Sequence, residues 1–162
     1  MSEPAAFAPL ATALATLDPS PAPAPVRIYA DPAESMSLGD VPAIVLGIAP
    51  GIEHAWRQEA FGYPGLGQHD YVIAIWCILG MRASDLGEVY ALAKYWPKAL
   101  ARVLGANLTL GGAVQSLGYR EENRLFTYRI GPIPWGDGIY YGLTALLPIR
   151  ENVSQTFAAT SP

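Results

Sequence analysis

The stretch from His69 to Leu79 constrains this chain more than any other. On an extended backbone Tyr71, Ile73, Ile75, Cys77 and Leu79 share one side, and Val72, Ala74, Trp76 and Ile78 the other. A strand that is apolar on both faces must be covered on both, so this run predicts a central strand of a sheet. The dense apolar run from Tyr71 to Met81 is too short for a membrane helix, which needs roughly 20 such residues. The N-terminus carries Glu3 and Pro4 where a secretory signal carries Lys or Arg, so no export signal is read.

Other elements arrange themselves around that strand. Leu10, Leu14 and Leu17 fall on one helical face, predicting a short helix over Ala5 to Leu17 that ends at Asp18-Pro19. Alternating prolines from Pro19 to Pro25 predict a stiff spacer. Val26 to Tyr29 and Val41 to Ile48 read as strands, the second closed by Pro50-Gly51. Glu53 to Phe61 reads as an edge strand, mixed on both faces, joined to the central strand by the turn Gly62 to Gly67. Ser84 reads as an N-cap, with Asp85 and Glu88 in the first turn of a long helix reaching about Leu104. Pro97 inside it should kink or split it. Strands return at Gly112 to Leu117, Arg124 to Ile130 and Tyr140 to Ile149, with Gly131 to Gly138 as a rigid turn-rich loop.

Turns this short cannot make parallel crossovers, and the helices stand apart from the strands. The expected class is α+β: a mainly antiparallel sheet packed against a long helix and a short N-terminal helix. The expected organisation is an N-terminal helix and linker (1–25), one domain (26–150) and a C-terminal tail (151–162). The chain has 162 residues, 51% hydrophobic and 15% charged, which suits a folded domain rather than a disordered one. So little charge points to surface hidden in an oligomer. A formal net charge of -4 argues against a protein whose main task is gripping phosphates.

The residues for catalysis do not assemble in the sequence. The one cysteine, Cys77, lies among apolar neighbours and reads as an unreactive core residue. His54 and His69 stand near turns, and neither they nor Glu53 and Asp70 have ligand spacing, so no metal is expected. Glu121-Glu122 reads as solvated and Asp137 as a turn residue. The glycines of Gly62 to Gly67 precede a strand, where a phosphate cradle needs a helix N-terminus. No catalytic residue and no cofactor are expected, and the chain reads as no enzyme.

Lys94, Lys98 and Arg102 recur every four residues. They read as the wet face of a helix or as a basic stripe meeting acids on a neighbouring subunit. Trp56, Trp76, Trp96 and Trp135, with nine tyrosines, suit a core or a subunit contact.

The order of elements carries a resemblance. A helix and proline linker lead to Val26-Arg-Ile-Tyr-Ala-Asp-Pro32, then Val41-Pro-Ala-Ile-Val-Leu46, then a hairpin ending in Tyr71-Val-Ile-Ala-Ile-Trp76. A helix follows, then Leu108-Thr-Leu-Gly-Gly112 and a last strand opening with Tyr140-Tyr-Gly-Leu143. This resembles the tail terminator, or tail completion and neck, proteins of long-tailed bacteriophages. The resemblance implies a homo-oligomeric ring, commonly sixfold, in the virion neck. Such a ring caps the tail tube protein, joins it to a head-side connector or stopper protein, and lets DNA pass without sequence-specific binding. The expected contact residues are Arg57, Glu59, Tyr63, Leu66, Lys94, Lys98, Arg102, Trp135 and Asp137. Alternatives are another neck adaptor, or a small-molecule-binding domain whose pocket gathers Trp56, Trp135, Tyr140 and His54.

Overall fold

The computed structural model describes residues 4–30, 41–58, 66–118, 123–135 and 138–154. Among these, seven strands form one sheet: β1 (Arg27–Tyr29), β2 (Ala43–Ile48), β3 (Ala55–Gln58), β4 (Leu66–Gly80), β5 (Ser116–Leu117), β6 (Thr127–Trp135) and β7 (Gly138–Ser154). Three helices accompany them: α1 (Phe7–Leu14), α2 (Leu86–Ala93) and α3 (Trp96–Gly105). The antiparallel pair β4 and β7 forms the middle. β2 and β3 both pair with one side of β4, while β5 and β6 both pair with the far side of β7. β1 lies outside β2 and runs parallel to it.

This corrects the expected class. The sheet is mixed and curls into a half-barrel; among the described residues 43% are strand against 26% helix, so strands dominate and no long helix backs the sheet there. Proline explains the missing long helix, and the parallel pairing of β1 with β2 makes the sheet mixed. Pro97 has no amide hydrogen and disfavours helical geometry just before it, so α2 ends at Ala93 and Pro97 lies in the first turn of α3. Ser84 is no cap: it sits in a 3-10 turn, where the Asp85 carboxylate accepts the Arg82 amide at 3.2 Å. The stretch read as a loop from Gly131 is instead the second half of β6, with Pro132 and Pro134 inside the strand.

The two faces of the sheet are closed differently. One carries Ile44, Leu46, Tyr71, Ile73, Ile75, Cys77, Leu143, Ala145, Leu147 and Ile149, buried in one cluster with residues from all three helices. Phe7, Leu10 and Leu14 of α1, Val89 of α2, and Trp96, Leu100 and Leu104 of α3 join it. Burying each large side chain in such a core is worth about 1.5–3 kcal/mol. The other face has no helix among the described residues. There Ala43 and Val45 of β2 form a buried cluster with Ile78 of β4 and Ile133 of β6, strands that are not all neighbours in the sheet. The sheet covers this face by curling around it.

Small residues make the curl feasible. Gly142 pairs with Ile78 beside the one irregularity in the β4–β7 ladder, and a Cβ on it would collide with the Cys77 carbonyl. No residue but glycine fits there without moving backbone.

Both borders of the sheet break at the same level. Residues 49–54 between β2 and β3 face only Tyr71 and Val72 of β4. Val72 would lose both of its lateral partners there, but its carbonyl accepts the Ala49 amide at 2.9 Å and its amide donates to His54 Nδ1 at 3.2 Å. Directly across the central pair, Val72 faces Pro148, which lies between the β5 and β6 ladders. A proline can occupy a central strand here because its missing amide points at a gap in the neighbouring ladder.

Candidate functional site

The two borders are the most distinctive surfaces of the molecule, and hydrogen-bond parity fixes what each offers. The amides of Gly118 and Gln115 donate to the carbonyls of Pro148 and Arg150, each at 2.8 Å. Even-numbered residues of β7 therefore turn their backbone groups toward β5 and β6. The unbroken β6–β7 register then aims the backbone of Thr127, Arg129, Gly131, Ile133 and Trp135 inward. Tyr128, Ile130, Pro132 and Pro134 face outward. No other strand lies against that outer edge among the described residues. Its first half thus presents amides and carbonyls at Tyr128 and Ile130, while in its second half proline removes the donors. Tyr128 is 51% exposed.

The opposite border carries β3. The Val72 contacts turn even-numbered residues of β4 toward it, so Ala55 and Arg57 bond inward to β4 while Trp56 and Gln58 face outward. Trp56 is 44% exposed and lies over Gly67, where a Cβ would come within 2.6 Å of its ring. Its ring begins a row: Trp56 to His69 is 5.4 Å between centroids, and His69 to Tyr71 is 4.5 Å. The Tyr71 hydroxyl donates to Glu151 Oε2 at 2.8 Å. Burial, and next the hydrogen bond to the Glu151 carboxylate, push the Tyr71 phenol well above its ordinary range; a hydrogen bond from the Ala6 backbone opposes this.

On the other side of β4, Asp70 and Arg150 face each other across the ladder. The Arg150 guanidinium grips the carboxylate with two bonds, of 3.0 and 3.1 Å, and Arg57 Nε stands 4.0 Å from the same carboxylate. These groups are partly solvated, so the pair contributes about 1 kcal/mol or less. Asp70 and Arg150, with Glu53, Gln115, Ser116 and Pro148, line an open cleft of about 430 Å³ at the level of the border breaks. A second groove, of about 350 Å³, runs between Pro50 and Ile52 on one bank and Thr127 and Arg129 on the other, floored by Ala74, Trp76 and Leu146.

The expected contact residues are scattered. Arg57 is on β3, its side chain 66% exposed. Leu66 opens β4. Lys94 follows α2, and Lys98 and Arg102 are on α3; all three are exposed, with Lys94 Nζ 5.2 Å from the Tyr95 ring centre. Asp18 is held below the usual carboxylate range first by the Ser20 hydroxyl, then by the Ser20 amide, with the Arg102 charge as the smallest contribution. Trp135 is half-buried against Tyr140, 5.6 Å between centroids, at the tip of the β6–β7 hairpin. Glu59, Tyr63 and Asp137 lie outside the described residues.

Trp56, Trp135, Tyr140 and His54 do not share a pocket: Trp56 stacks on His69, Trp135 on Tyr140, and His54 holds Val72. The Asp70–Arg150 pair and the aromatic row were not foreseeable, because both depend on which residues of two distant strands come level. Cys77 is fully buried, and burial pushes its thiol far up. Among the described residues no group of three or more His, Cys, Asp or Glu side chains is placed to hold a metal ion, and no helix is long and apolar enough to cross a membrane.

No family model matches the chain, and no curated protein matches it either.

Proposed function

We propose that this protein is a ring-forming structural subunit of a phage tail end, which caps the tail tube and joins it to the head-side connector. One observation carries the reading. Each border of the curved sheet includes a strand that is unpaired on its outer side among the described residues, β3 on one and β6 on the other, each with an exposed aromatic, Trp56 and Tyr128. A subunit with different sticky edges on its two sides associates head to tail, and such contacts close into a ring when the rotation permits. The curl of the sheet supplies rotation from one subunit to the next. A net charge of -4 also suits a channel wall past which DNA must slide. The resemblance in element order adds the place in the virion.

The test is electron microscopy and analytical ultracentrifugation of the purified chain, alone and mixed with the tail-tube protein of the same virion. The expected result is a symmetric annulus, free or seated on the tube end. A chain that stays monomeric at high concentration and leaves the tube unbound overturns the proposal.

A further inference from the structure

We infer that the open half of β6 receives β3 of a second copy, antiparallel, with Tyr128 directly opposite Trp56. This rests on the ring reading above and specifies its joint.

Strand direction comes first. β3 runs against β4, β4 against β7, and β7 against β6, so β3 and β6 of neighbouring copies meet antiparallel if the sheet simply continues. Tyr128 and Trp56 both turn their backbone groups outward, as a hydrogen-bonded pair requires. Both side chains also lie on the helix-covered side: Tyr128 is opposite Ala145, and Trp56 packs beside His69 and Tyr71. The two exposed rings would therefore meet across the joint and cover each other.

Charge and the limits of β6 select this register, since sliding the other way would set Trp56 opposite Phe126, which lies outside the strand. The register sets exposed Arg129 opposite Ala55, one alternate position from exposed Glu53, and sets Arg57 opposite Thr127. Sliding β3 so that Trp56 faces Ile130 would put Arg57 against Arg129, which like-charge repulsion disfavours. The prolines agree with the chosen register. Pro132 and Pro134 fall beside residues 50–52, where the chain leaves the ladder and offers no strand to bond. β6 loses its outward donors at the level where β3 gives way to that excursion.

The experiment uses the full chain and light scattering across a concentration series. Ile130→Pro removes one outward amide and no bond to β7. It should raise the concentration for half-assembly by about tenfold or more. Ile130 is partly buried against the core, so Ile130→Ala, which loses the same packing but keeps the amide, is the control and should assemble like the parent. A folded Ile130→Pro chain that assembles like the parent overturns the inference. A second measurement does not depend on that variant folding. Trp56→Cys chains mixed with Tyr128→Cys chains and oxidised should give a disulfide-linked dimer that neither gives alone, since Cys77 is buried. Rings that form without this cross-link overturn the joint and leave the ring reading intact. A chain that never assembles overturns both.

Discussion

The two faces of the sheet are covered by different means, one throughout its middle and the other only in part, where open grooves remain. On one, helices bring large side chains such as Trp96 and Leu100 down onto Ile73, Ile75 and Leu147. On the other, the sheet bends until Ala43, Val45, Ile78 and Ile133 meet. The first depends on side-chain volume, because a helix standing off a sheet leaves a space that must be filled. The second depends on strands meeting one another, and at Gly142 on the absence of any side chain between them. The helices cover the middle of their face, while at its borders Trp56 and Tyr128 stay exposed.

Substitutions can break this contrast, beginning with the largest effect. Leu100→Ala removes a fully buried side chain from the helix-covered face; it should cost about 2–5 kcal/mol, read by urea denaturation. Gly142→Ala adds a single carbon where the curled ladder has no room. It should cost about 1–3 kcal/mol, and if the curl were incidental the loss would be negligible. His54→Ala takes the acceptor from the Val72 amide at the border break and should cost about 1–2 kcal/mol. His54→Asn, which can still accept a hydrogen bond, should recover part of that.

Tyr71→Phe sharpens the contrast by pH. It breaks the bond to Glu151 and should cost about 1 kcal/mol near neutrality. The folded chain holds the Tyr71 phenol neutral, so its stabilising contribution is complete below the ordinary phenol range and is lost as pH rises beyond it. Above a pH of about 10 the parent should lose up to about 1.4 kcal/mol per pH unit from this group. The Phe variant should lack that component, as denaturation at pH 9 and 11 would reveal.

Part of this architecture is legible in the chain. Tyr71 to Leu79 declares its central place because both of its faces are apolar, and Pro97 marks the division between α2 and α3. The length of β6 is not declared, since Gly131-Pro-Ile-Pro has the composition of a turn. Its one clue is that Pro132 and Pro134 stand two apart, so in a strand both missing amides fall on one edge. The parallel pairing of β1 with β2, the grip of Arg150 on Asp70 and the use of His54 as a backbone acceptor have no local signature. Each depends on the register of strands far apart in sequence, which tertiary packing sets. Among the candidate contact residues, the exposure of Arg57 follows from its place on a mixed-polarity edge strand. The prominence of Trp56 and Tyr128 does not, because an aromatic in a strand reads equally well as core.

The two prolines at the far end of β6 act as a counter. They leave outward amides at Tyr128 and Ile130 alone, and so limit how many rungs the proposed neighbour could climb. In the proposed ring, a seam limited in this way would stay reversible during assembly, so a misplaced subunit could leave before the circle closes. The same limit denies the edge the long, uninterrupted zipper from which fibrils grow.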